Sequence, residues 1–141
     1  MAHDRRSSRI LAMQALCQWE IQRDESSLSL TDFLAGQGAS PEVTAYVAKL
    51  VQEFWRQRAQ IDERVASASV KWDLARISPV ERNIMRVAIV ELQDGGVPAP
   101  VILNEAIEIG REYGGAESPR FINGVLDAAF KSIQAAMGKS D

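Results

Sequence analysis

A single cysteine in 141 residues rules out an internal disulfide, and the lone histidine, His3, sits in a polar N-terminal stretch. One Cys and one His far apart do not make a zinc ligand set. The sequence therefore predicts no metal, no cofactor and no catalytic residue. Neither a phosphate-loop nor a dinucleotide-binding glycine pattern occurs. Adjacent carboxylates such as Asp62 and Glu63 read as a solvated helix face rather than an acid/base pair, so the chain reads as a non-enzyme. No apolar run approaches the roughly 18 residues of a membrane span. MAHDRRSSR is followed by no signal-peptide core, and the expectation is a cytoplasmic protein in a reducing compartment. Cys17, among Leu16, Trp19 and Ile21, reads as a small buried hydrophobe.

Strand alternation is also scarce; helical periodicity takes its place. Hydrophobic residues make up 46% and charged residues 25%, with nine Gly and five Pro, the balance of a globular domain rather than a disordered one. Val43, Val47, Leu50, Phe54, Ile61 and Val65 fall on one face of a long helix. Ser40-Pro41, Ser78-Pro79 and Ser118-Pro119 each precede an amphipathic run, as expected where serine caps a helix and proline takes its first position. Glu81, three residues after Ser78, completes a capping box. Gly95-Gly96 and Gly114-Gly115 read as helix stops. Asn123-Gly124 would ordinarily mark a turn. Yet Ile122, Leu126, Ala129, Phe130, Ile133 and Met137 run through it at helical spacing, so Gly124 is expected to admit another helix at close range. The prediction is an all-α bundle of about seven helices, roughly 5 to 22, 28 to 36, 41 to 58 continuing to 68, 79 to 94, 99 to 113 and 118 to 137. A turn near Trp72 to Arg76 joins the middle ones, within one domain over 1–141 whose ends, 1–4 and 138–141, are frayed.

What remains for function is binding. A net charge of −3 argues against indiscriminate attraction to nucleic acid, but three arginines and no acid lie between Arg5 and Trp19. The start of the last helix adds Arg120 beside free backbone N–H groups that suit a phosphate. Phe121 beside it serves either as core or as a platform on which an unpaired base stacks.

Arg120-Phe121-Ile122-Asn123-Gly124-Val125-Leu126-Asp127, with Asn104-Glu105-Ala106-Ile107 upstream, resembles the C-terminal signature of the NusB family of bacterial transcription antitermination factors. Arg5-Arg6 and Arg9, followed by Ala12 to Leu16, resemble that family's arginine-rich first helix. Trp72 to Ile77 and Glu81 to Leu92 resemble its fifth-helix region. The resemblance implies two three-helix subdomains with a shared core crossed by the long central helices. It also implies an RNA surface of Arg5, Arg6, Arg9, Arg120 and Phe121, with Glu117 in the preceding loop and Gln14 and Gln18 nearby. The implied target is single-stranded boxA RNA in ribosomal or phage leaders. The implied protein partner is NusE, a small-subunit ribosomal protein, within the transcription elongation complex with RNA polymerase. Glu81 is then a candidate partner contact as well as a cap. Glu91, Asn104, Glu105 and Asn123 look structural, and Glu105, at the edge of an apolar face, is expected to find a donor.

Cys17 stands where relatives often carry tyrosine or phenylalanine, and Ser7 and Ser8 thin the basic run, so RNA affinity is expected to lean on the protein partner. A self-associating surface, giving a homodimer that covers the arginines, remains open. Two alternatives also stay open at this point. One is a helical interaction module without RNA recognition. The other is the NusB-like domain of a ribosomal RNA methyltransferase, although no methyltransferase domain follows the last helix.

Overall fold

A computed structural model describes residues 2–23, 26–70 and 73–138. Trp72, residues 139–141 and the His3 side chain lie outside the described residues. The chain order is α1 (Ala2–Gln22), α2 (Ser27–Gly36), α3 (Pro41–Arg56), α4 (Arg58–Ala68), a 3₁₀ turn (Leu74–Arg76), α5 (Pro79–Asp94), α6 (Ala99–Tyr113) and α7 (Ser118–Gly138). No strand occurs among the described residues, and no helix is long and apolar enough to cross a membrane.

Helix α5 is the shared element. It packs against α1, α3, α4, α6 and α7. That encirclement explains why every residue from Asn83 to Leu92 is buried, polar ones included. Helices α6 and α7 pair closely, and α1 pairs with α3. The core runs through both halves, with Leu16, Phe54, Ile61, Met85, Ile89, Ile122 and Leu126 among its fully buried side chains.

Local signals were mostly obeyed. Ser40 and Ser78 accept the N–H groups of Val43 and Glu81 at 3.2 Å, and each such cap stabilises its helix by about 1 kcal/mol. Gly95 ends α5 in the left-handed conformation, φ 80°.

The departures have physical reasons. The expected long helix over 41 to 68 breaks at Gln57 (φ −111°, ψ 21°), whose N–H is shared between the carbonyls of Glu53 and Phe54. The bend lets α3 face α1 while α4 turns Ile61 and Val65 toward α5 and α7; a seven-residue gap in the apolar spacing conceals it. Residues 2–4 are helical rather than frayed. Asp4 sits in the first turn, favourable at the positive end of the helix dipole, and its carbonyl accepts the Ser8 hydroxyl at 2.8 Å. Gly138 likewise belongs to α7. Cys17 is half-buried rather than buried, 3.3 Å from Asn83 Nδ2 and 3.6 Å from the Pro79 carbonyl, and burial raises its thiol pKa.

Gly124 faces open space, so the close helix approach belongs to Gly110 instead. A Cβ on Gly110 would lie 2.5 Å from Ile122 Cδ1, which is how α6 and α7 come together. Gly114 ends α6 with extended backbone, not left-handed, and its missing Cβ makes room for the Ser118 side chain. Asn104 and Asn123, expected to be structural, lie exposed, and Met137 is 60% exposed near the end of α7.

Candidate nucleic-acid interface

The start of α7 is fixed by a serine, but not as the cap expected from Ser118-Pro119. Ser118 is the first helical residue and buried; its hydroxyl accepts the Gly115 N–H at 2.9 Å and donates to Glu81 Oε2 at 2.6 Å. The Ser118 N–H is bonded to the Gly115 carbonyl, the Phe121 N–H to that of Glu117, and Pro119 has none. This helix end therefore presents fewer free donors to a phosphate than its sequence suggested.

Glu81 joins two helix starts. It accepts the hydroxyls of Ser78 (3.0 Å) and Ser118 (2.6 Å), so its carboxylate reaches side-chain donors in place of the backward bond of a capping box. It also lines an open groove of about 520 Å³ together with Arg76, Glu117, Arg120, Phe121 and Gly124. Phe121 is half-buried. It packs against the core and also borders the groove, which leaves part of the ring accessible. Gly124 supplies space, one turn further along α7.

The three N-terminal arginines diverge. Arg5 stacks its guanidinium 3.6 Å from the centre of the Tyr46 ring, on the α3 side, where a groove of about 400 Å³ also borders Lys49. Arg6 points to α6 and forms two hydrogen bonds with Glu105, at 3.0 and 2.5 Å. The hydrogen bond from Arg6 holds Glu105 below the usual carboxylate range, against its partial burial, and Glu108 and Glu112 add to the negative field around Arg6. Arg9 corrects the sequence reading outright. Its side chain is 7% exposed and grips Glu91, 2% exposed, at 2.7 and 3.0 Å, while Tyr46 donates its hydroxyl to the same carboxylate at 2.5 Å. It is a core ion pair and not a surface contact.

Gln18 is bonded to Gln22 (3.4 Å) and borders a small cavity beside Phe33 and Trp55, toward α2, so it does not join Phe121. Gln14 is half-buried on α1. The structure thus gathers Glu81, Glu117, Arg120 and Phe121 into one groove and disperses the α1 residues. Among the described residues no group of three or more His, Cys, Asp or Glu is placed to hold a metal.

A family model described as NusB family matches residues 6–131. The chain belongs to the NusB family. It is 35% identical over 132 residues to the transcription antitermination protein NusB of Syntrophus aciditrophicus (strain SB), covering 92% of this chain and 81% of that protein. The corresponding protein of Solibacter usitatus (strain Ellin6076) is 35% identical over 131 residues, covering 92% and 90%. Among solved structures, T. maritima NusB superposes with a TM-score of 0.80 at 31% identity over 90% of each chain. A structure described as antitermination factors NusB and NusE in complex with dsRNA has the same fold: TM-score 0.83 at 22% identity, covering 94% of this chain and 99% of that one. Transcription antitermination is a binding role, not an enzymatic one.

In this NusB-family chain the sequence also left a second charged network unread. Arg82 pairs with Glu20 at 2.8 and 3.0 Å, Arg86 with Asp62 at 2.8 and 2.9 Å, and Asn83 donates to Glu20 at 2.7 Å. Burial pushes Glu20 up, but the hydrogen bonds from Arg82 and Asn83 and the charge of Arg86 outweigh it and hold Glu20 low. The available signal was the recurrence of arginine at 82 and 86, one turn apart inside a run that is otherwise core.

Proposed function

We propose that the chain is a cytoplasmic RNA-binding adaptor, one NusB-like domain that binds single-stranded boxA RNA of ribosomal RNA leaders jointly with NusE and joins the elongating RNA polymerase complex. The observation that carries the reading is the pairing of Arg120 with a half-buried Phe121 at the mouth of an open groove, within the residues matched to the family. An unpaired base stacks on the ring, worth about 1–3 kcal/mol, and Arg120 neutralises a neighbouring phosphate. Glu117 borders the same strand, and Arg6, already tied to Glu105, contributes at the periphery. Glu81 presents a carboxylate to the basic side chains of NusE.

With Arg9 in the core and Arg6 facing three glutamates, unassisted RNA affinity is weak and NusE raises it. The test is fluorescence anisotropy of labelled boxA-type RNA, with and without NusE, against a scrambled RNA at matched salt. Binding that is sequence-dependent, enhanced by NusE and reduced at least tenfold by Phe121→Ala supports the adaptor. Equal binding of both RNAs in the presence of NusE reduces the protein to a helical interaction module.

A further inference from the structure

We propose that Gly124 is the floor of the base-binding site, where its missing side chain keeps the Phe121 ring open for an unpaired base of the RNA; this rests on the RNA-binding reading above. A glycine in a helix interior is the least favourable choice after proline, because it loses the most backbone freedom on folding. Position 124 lies well inside α7 (Ser118–Gly138).

Neither of the usual structural reasons for a glycine holds there. The backbone does not require one, since among the described glycines only Gly38 and Gly95 have positive φ. Packing does not require one either. A Cβ at 124 would meet no atom of the described residues within 4 Å, whereas one at Gly110 would lie 2.5 Å from Ile122 Cδ1. Gly36 and Gly138 also face open space, but they stand at the ends of their helices. The contact of α6 with α7 accounts for Gly110, and the fold leaves Gly124 without a role.

The groove supplies one. Arg120, Phe121 and Gly124 line the same opening, about 520 Å³, with Ala68, Ser69 and Val70 from the end of α4 and the residues after it. Positions 120, 121 and 124 share one face of α7. Residue 124 stands about 4.5 Å further along the helix axis than 121, less than the width of a nucleobase. Helical side chains tilt toward the N-terminus, so any group at 124 would lean back over residues 120 and 121 and shield the ring. A hydrogen keeps that approach clear. A base stacked on Phe121 extends over the bare backbone at 124, and its phosphate stays within reach of the exposed Arg120. That pairing of ring and cation favours a nucleotide over a protein side chain on this floor.

The experiment reads stability and RNA affinity on the same variants, Gly124→Ala and Gly124→Leu, with labelled boxA-type RNA and NusE at matched salt. Both replacements favour the helix more than glycine, so Tm is expected to rise by about 3 °C. RNA affinity is expected to fall about threefold for alanine and about tenfold or more for leucine, as the stacked base is displaced. The two shifts run in opposite directions, so a folding defect cannot produce the loss. Binding of NusE without RNA stays within about twofold, and in a Phe121→Ala background Gly124→Leu weakens RNA by less than about twofold more, the non-additivity of two residues that hold one base. A Tm that falls means that a segment of this chain already fills the space above Gly124, and overturns the proposal. Unchanged RNA affinity of Gly124→Leu, or a loss fully additive with that of Phe121→Ala, does the same. Weaker NusE binding without RNA assigns the floor to the protein partner and also overturns it. Loss of RNA by Phe121→Ala alone, with Gly124→Leu binding normally, leaves the adaptor standing and removes only the role of Gly124. A parent that binds boxA-type and scrambled RNA equally with NusE present removes both.

Discussion

Replacing Arg9 by alanine discriminates most sharply between a surface arginine and a core one. The guanidinium makes two hydrogen bonds to Glu91, at 2.7 and 3.0 Å, with side chains 7% and 2% exposed. Truncation leaves the Glu91 carboxylate buried with the Tyr46 hydroxyl but without its cation. Removing one partner of such a pair costs about 3–5 kcal/mol, because the remaining charge is deprived of its counterion without regaining water. That is a large part of the roughly 5–15 kcal/mol that holds a domain together. At about 3 °C per kcal/mol for a chain of this size, Tm should fall by about 10–15 °C. Arg9→Met combined with Glu91→Gln removes both charges and should recover a substantial part of the loss, a coupling that a double-mutant cycle reads directly. RNA affinity of Arg9→Ala, measured well below its Tm, should match that of the parent within about twofold. An unchanged Tm with a tenfold loss of RNA binding would refute the core assignment and return Arg9 to the RNA surface.

Glu105→Leu should destabilise the protein by about 1 kcal/mol, since it strips Arg6 of a two-bond partner and Arg9 of a second carboxylate at 3.4 Å; chemical denaturation with an unchanged midpoint would remove that role. Glu20 and Glu105 are both held below their ordinary pKa in the folded state, so their contribution is complete above the unfolded value of about 4.3 and disappears as pH falls through the lower folded values. Tm followed from pH 6 to pH 2 should therefore drop below about pH 4, and Glu105→Gln should flatten part of that drop. Gly124→Ala, at an exposed helical position with nothing within 4 Å of the new methyl, should raise stability by about 1 kcal/mol. Gly114→Ala should lower stability, because its methyl would press on the Ser118 side chain and the Gly110 carbonyl; calorimetry on the pair checks both signs.

Helix positions, caps and stops were legible because they are local. An N-cap needs a hydroxyl three residues from an N–H, and Ser40 and Ser78 carry that requirement in sequence. Apolar spacing likewise identified the buried face of α3 and most of that of α7, because a residue's direction on a helix follows from its number. The family was legible for a similar reason: its motifs at Arg120 to Asp127 and Glu81 to Leu92 are contiguous. What the sequence could not decide was the destination of each charge. Arg5, Arg6 and Arg9 look alike along the chain, yet they turn to Tyr46, Glu105 and Glu91 on three different helices. Gly110 and Gly124 are both helical glycines; only the path of α7 against α6 puts Ile122 on the first and leaves the second open. Ser118 has the same Ser-Pro context as Ser40 and Ser78, but Gly115 and Glu81 claim its hydroxyl from other segments. The burial and pairing of a charge depend on which helices surround it, and that is settled when α5 is enclosed by its neighbours. The sequence by itself determined the helices and the family, whereas tertiary packing alone decided which arginines hold the core and which stay exposed.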